Sequence, residues 1–203
     1  MTLANIAKAV NGSLHNAEQH VGEEAAGVVL DSRKVEAGYV FIATKGERVD
    51  GHTFIDAVFE KGALGVICEK APENPKGAYI VVEDSFQALK DVAAFYRKQL
   101  NIKVVGITGS VGKTSTKEFI AATLATHYQV LKTEGNFNNE IGLPLTVLRI
   151  RDNIQVAVLE MGISDFGEMH RLSSIAQPDV CVITNIGPVS YTHLRAHETK
   201  ANL

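Results

Sequence analysis

Cysteine, long apolar runs and an excess of either charge are all scarce in this chain, and each scarcity closes off a class of protein. The two cysteines, Cys68 and Cys181, stand far apart in apolar, strand-like runs. That pattern suits small buried hydrophobes rather than a disulfide framework, and a reducing, cytoplasmic setting is expected. No stretch approaches the roughly 18 uninterrupted apolar residues of a membrane span, and the N-terminus lacks the basic flank and apolar core of an export signal, so neither insertion nor secretion is expected. With 20 Lys and Arg against 23 Asp and Glu, the formal net charge is −3. A basic patch or stripe of the kind that grips nucleic acid or anionic lipid is missing, and neither is an expected partner. No internal repeat or low-complexity run appears.

What is present is enough to fold. The 203 residues are 45% hydrophobic, sufficient for the core of one large or two small domains. Leu3, Ile6, Ala7 and Val10 repeat at helical spacing and Asn11-Gly12 stops them. Apolar strands follow at Val28–Leu30 and Tyr39–Ala43. Asp50-Gly51-His52 reads as a turn, with Thr53 placed to cap a helix carrying Phe54, Ile55, Val58 and Phe59. Gly65–Cys68 and Tyr79–Val82 are further strands, and Asp84 or Ser85 caps a helix running to about Gln99. The expected domain border is Asn101-Ile102, giving units 1–100 and 101–188. Beyond it, strands at Val104–Ile107, Gln129–Leu131, Val156–Leu159 and Val180–Ile183 alternate with helical stretches in the rhythm of a parallel α/β sheet.

The richest segment is Ile107-Thr108-Gly109-Ser110-Val111-Gly112-Lys113-Thr114-Ser115-Thr116, where a buried strand enters a glycine turn and then a helix of residues 113–127. Gly109 and Gly112 free the backbone to wrap an anion, and the helix presents the positive end of its dipole. Residues Gly109 to Ser115 are thus assigned to nucleotide phosphates. Lys113 neutralises β/γ-phosphate charge and the Thr114 hydroxyl ligates Mg²⁺. The general G-x-x-x-x-G-K-[ST] pattern would place a glycine at Ile107, so this is a subtype of that loop.

Glu160 directly follows the apolar strand 156–159, and parallel sheets collect ligands at the carboxyl ends of their strands. It is a candidate Mg²⁺ carboxylate, the alternative being a solvated strand-end acid. The loop Thr133–Pro144 holds Asn136, Asn138 and Asn139, whose amides suit either substrate oxygens and a metal shell or simple turn formation.

The segments T-G-S-V-G-K-T-S, N-F-N-N-E-I-G-L-P, L-E-M-G and I-T-N-I-G together resemble the Mur ligases. Asp31-Ser32-Arg33-Lys34-Val35, Lys45-Gly46-Glu47-Arg48 and Asp50-Gly51-His52-Thr53-Phe54 resemble that family's UDP-sugar-binding domain, so the likeness runs from residue 1 to about 187. It implies an α/β fold: a small N-terminal α/β domain for a UDP-linked substrate, then an incomplete P-loop parallel-sheet ATPase domain. It further implies ATP-dependent amide synthesis through an acyl phosphate. The Asn138-Asn139-Glu140 loop and Glu160-Met161-Gly162 favour the branch joining D-alanyl-D-alanine to a UDP-N-acetylmuramoyl tripeptide over the branch adding the third peptide residue. By this resemblance Lys113, Asn139 and Glu160 are catalytic, Thr114 and Glu160 hold Mg²⁺, and Ser32, Arg33, Lys45, Gly46 and Asn138 bind substrate. The parent enzyme is expected to act as a monomer.

Residues 189–203 break the pattern. Val189–Thr199 resembles the translation of a transposase library adapter and is expected to be a non-native tail, with the natural product continuing further and this fragment inactive in ligation. His193 and His197 sit at i and i+4, yet the acid and third ligand of a zinc helix are missing. Asp165-Phe166-Gly167 has no kinase catalytic loop beside it and reads as a helix-entry turn. A P-loop switch would need an N-K-x-D motif and leaves residues 1–100 unexplained; a binding-only fragment is the other alternative.

Overall fold

The computed structural model describes residues 1–187 except Gln19, Val21 and Arg48. The expected tail, with His193 and His197, lies outside the described residues. Two compact units divide the chain, Met1–Tyr96 and the residues from Arg97 onward. Among the described residues no helix is long and apolar enough to cross a membrane.

The first unit is a five-stranded sheet. Its strands are β1 (Ser13–His15), β2 (Gly27–Val29), β3 (Tyr39–Ile42), β4 (Gly65–Cys68) and β5 (Ala78–Val81), ordered β1-β5-β4-β3-β2. Only β1 runs antiparallel, pairing Leu14 with Ile80. This strand escapes sequence reading because Ser-Leu-His is too short and polar to show alternation. Helix α1 (Leu3–Ala9) is capped by the Thr2 hydroxyl, which accepts from the Asn5 N–H. On one sheet face Phe41, Val66 and Cys68 pack with Ile55 and Val58 of α2 (Ile55–Glu60). Residues of the opposite phase, Val40, Ile42, Ile67 and Ile80, are wholly buried, each contributing roughly 2 kcal/mol of apolar transfer. Asp50, rather than Thr53, caps the turn before α2: its carboxylate accepts from the His52 N–H, and Thr53 donates its hydroxyl to the Asp50 carbonyl. Asp84 caps α3 (Ser85–Gln99), accepting from the N–H groups of Phe86 and Gln87.

The second unit carries a parallel sheet of β6 (Lys103–Thr108), β7 (Val130–Lys132), β8 (Val156–Glu160) and β9 (Val180–Ile183), ordered β7-β8-β6-β9. From β6 the chain first steps two places one way to β7, then later crosses to β9 on the other side. Right-handed crossovers therefore send the helix after β6 to one face and the helices after β7 and β8 to the other. Helix α4 (Lys113–Leu124) packs on β8, β7 and β6, while α5 (Gly142–Val147) packs with α6 (Glu168–Ala176). Ile107, Ala121, Val156 and Val158 form the core beneath α4. Helix α4 ends at Leu124, short of the expected 127, with its last carbonyls taken by the Ala125, His127 and Tyr128 N–H groups. Gly167 in left-handed geometry (φ 77°) starts α6, as the Asp165-Phe166-Gly167 turn predicts. The expectation for the cysteines divides: Cys68 is buried, and burial pushes its thiol up to about 11, but Cys181 is exposed. Strand β9 is the last in the sheet order, and Cys181 lies on a face that no described residue covers.

Candidate functional site

Strand β6 sets the site by delivering the chain into residues 109–112 at the carboxyl edge of the sheet. Gly109 adopts φ 133°, and a Cβ there would lie 2.2 Å from the Thr184 hydroxyl; Gly112 adopts φ 84° as the N-cap of α4. Both positions need glycine. Helix α4 has no side-chain cap, so its first turn offers backbone N–H groups and positive dipole to an anion. Lys113 reaches back over the loop, donating Nζ to the Gly109 carbonyl at 2.8 Å.

The loop is also braced by the segment that follows β9. The Ser110 N–H donates to the Asn185 carbonyl (3.1 Å) and the Val111 N–H to Asn185 Oδ1 (2.9 Å). Thr184 donates its hydroxyl to the Val111 carbonyl (2.6 Å), and the Gly187 N–H donates to Ser110 Oγ (2.8 Å). The first half of the loop is thus held by residues 184–187, and the N-terminus of α4, without a side-chain cap, begins at Gly112.

Beside the loop lies Glu160, the last residue of β8, placed opposite Ile107 by the β6–β8 register. It is only 3% exposed. The Thr114 hydroxyl donates to its Oε2 at 3.1 Å, Asn138 Nδ2 donates to its Oε1 at 2.9 Å, and its own N–H donates to Thr133 Oγ1 at 2.9 Å. Lys117 Nζ lies 3.7 Å from the same Oε2. Thr114 and Glu160 present two hard oxygens at the separation of neighbouring ligands around Mg²⁺, about 3 Å for bonds of ~2.1 Å. Among the described residues no cluster of three His, Cys, Asp or Glu that could hold a metal ion exists.

The first unit has its own cleft, of about 880 Å³, lined by Asp31, Ser32, Arg33, Thr44, Gly46 and Phe54 among others. Arg33 donates Nε and one terminal nitrogen to the two oxygens of Asp31 at 2.9 and 2.8 Å. That paired guanidinium holds the Asp31 carboxyl down to about 2.

Two family models match this chain: the catalytic domain of the Mur ligase family over residues 24–109 and the Mur ligase middle domain over residues 107–203. The UDP-N-acetylmuramoyl-tripeptide–D-alanyl-D-alanine ligase of Bacillus subtilis is 47% identical over 199 residues, 97% of this chain and 43% of the relative. The chain belongs to the Mur ligase family. Its backbone matches the crystal structure of MurF from Acinetobacter baumannii with a TM-score of 0.84 and 37% identity, covering 95% of this chain and 42% of that one. MurF ligase from Thermotoga maritima, solved in complex with ADP, matches with a TM-score of 0.72 and 42% identity over 79% of this chain and 38% of its own. The chain thus spans about two fifths of the length of these Mur ligases.

Within this Mur ligase chain, the residues expected at the phosphate loop, Gly109 to Ser115, come together with Glu160 and Asn138. Asn139 is spent differently from its neighbour: its Oδ1 accepts from the N–H groups of Ile141 and Gly142, shaping the entry to α5. Ser32, Arg33 and Gly46 share the cleft of the first unit, while Lys45 is not among its lining residues and pairs its backbone with Asp50. Sequence reasoning missed Lys117 and Asn185. A lysine on an exposed-looking helix gives no signal of burial, but I-T-N-I-G was visible and its asparagine could have been assigned a structural role.

Proposed function

We propose that this chain is the substrate- and ATP-binding part of a ligase joining D-alanyl-D-alanine to a UDP-N-acetylmuramoyl tripeptide. The observation that carries this reading is the meeting of Thr114 and Glu160 at the mouth of the Gly109–Thr114 loop, in a chain whose relatives bear the name of that reaction. In the reaction a carboxylate oxygen of the tripeptide attacks the γ-phosphorus of ATP and ADP leaves. The amine of D-alanyl-D-alanine then attacks the acyl carbon, phosphate departs with the C–O electron pair, and the amine gives up its proton.

The N-terminus of α4 receives the phosphates. Lys113 exchanges the Gly109 carbonyl for a phosphate oxygen and offsets charge gathering on the transferring group. Thr114 and Glu160 would hold Mg²⁺, which when bound supplies electrostatic stabilisation of the β- and γ-oxygens. Asn138 keeps Glu160 aimed, and Asn139 fixes the loop leading into α5. In the first unit, Ser32, Arg33 and Gly46 hold the UDP end of the substrate, with Lys45 beside them. An ATP-consuming step of this kind is assigned to the cytoplasm.

Calorimetric titration of the chain tests the proposal with Mg·ADP, the UDP-N-acetylmuramoyl tripeptide and the corresponding dipeptide. Binding of nucleotide and preference for the tripeptide are expected. Preference for the dipeptide would move the chain to the sister ligase, and no binding of either UDP compound would overturn the assignment.

A further inference from the structure

Lys117 is the most deeply buried charged side chain among the described residues, 2% exposed, and no step of the proposed reaction uses it. It stands three residues beyond Thr114 on α4, the spacing that aligns two side chains on one helix face. Both reach the same atom: Thr114 Oγ1 lies 3.1 Å and Lys117 Nζ 3.7 Å from Glu160 Oε2. Lys117 has a second partner, Glu118 Oε1 at 3.4 Å, and Glu118 is itself paired with Lys132 of β7. The residue after Lys132 is Thr133, which receives the Glu160 N–H. Charge therefore alternates from surface to interior through Lys132, Glu118, Lys117 and Glu160.

A carboxylate as enclosed as Glu160 is costly to keep without a cation at hand. A divalent ion on Thr114 and Glu160 would satisfy the carboxylate but would bring like charge against the buried Lys117 ammonium. We propose that Lys117 is a resident counter-cation, a positioning residue that keeps Glu160 directed at Thr114 before Mg·nucleotide binds and then yields to Glu118. By competing for Glu160 it loosens the metal and keeps the nucleotide exchangeable. The inference rests on the nucleotide reading above.

The test compares the full 203-residue chain with Lys117→Met and with the double variant Lys117→Met/Glu160→Gln. ADP affinity is measured across a Mg²⁺ titration, and thermal unfolding is measured in EDTA. Lys117→Met should lower the half-saturating Mg²⁺ concentration about tenfold, because a like charge near the ion is gone. It should also lower the melting temperature in EDTA, and the double variant, with neither charge left buried alone, should recover much of that loss. An unchanged or raised Mg²⁺ requirement would overturn the proposal, as would a double variant no more stable than the single. If the single variant fails to fold, a folded double variant supports the pairing, and failure of both would reduce Lys117 to packing. A parent chain with no Mg²⁺-dependent ADP binding would overturn the nucleotide reading and this inference with it.

Discussion

In the first unit Asp31 meets Arg33 and Asp50 meets His52, each pair two residues apart in the chain, the first open to solvent and the second partly buried. In the second, Glu160, itself almost wholly enclosed, meets the half-buried Asn138 and the exposed Thr114 across 22 and 46 residues of sequence. Local pairs of the first kind shape turns and form as soon as the turn does, whether or not a ligand arrives. A constellation of the second kind exists only when strand, helix and loop are assembled together, so its geometry depends on the whole sheet. Burial makes each charge there expensive to strand and valuable when matched. The two clefts should therefore respond very differently to the loss of one charge.

Lys113→Ala offers the largest effect. Removing a charge-assisted contact to phosphate should weaken Mg·ADP about 100-fold, equivalent to about 3 kcal/mol, with the melting temperature little changed because the ammonium contacts only a loop carbonyl. Calorimetry and a thermal scan of the same sample decide it; unchanged affinity would remove Lys113 from the site. Glu160→Gln should follow, erasing about tenfold or more of affinity only when Mg²⁺ is present, since the amide keeps the shape and loses the charge. Mg²⁺ curves that overlay those of the parent would make Glu160 a strand-end acid and dissolve the contrast between the units.

Asn185→Ala should act more gently. Losing one neutral acceptor costs about 1 kcal/mol, read as roughly fivefold faster amide exchange at Val111. The smallest change belongs to Asp31→Asn. In the folded protein Arg33 holds the Asp31 carboxyl at about 2, below its unfolded value of about 4, so the unfolded chain takes up the proton first as pH falls. The stabilisation is complete above the unfolded value and is lost on acidification through about pH 2. Parent and variant should differ slightly at neutral pH, less at high salt, and converge in acid. A large neutral-pH difference in thermal stability would show that the first unit's pairs are not merely local.

What could be read in the sequence follows the same division. The Gly109–Thr114 loop is contiguous, and its strand-turn-helix setting leaves its period in the letters; Glu160 betrays itself by ending an apolar run. Lys117 does not, because a lysine four residues after Lys113 reads as a solvated helix face until β8 covers it. Nor could adjacent asparagines be told apart: one turn aims Asn138 at Glu160 and folds Asn139 back on its own backbone. Cys181 misleads for the opposite reason, since an apolar strand implies cover and β9 lacks it on the exposed face of the described sheet.

The clasp of Asn185 on Ser110 and Val111 bears on time as well as on shape. A glycine loop with unbound amides would wander among conformers and have to be caught by its ligand, so that association would wait on a rare arrangement. Here the loop is already held by Asn185, and it would lose little conformational freedom on binding a phosphate. Under the nucleotide role proposed above, uptake would be governed by encounter and by exchange of hydrogen-bond partners, and release would leave behind a cradle ready for the next molecule.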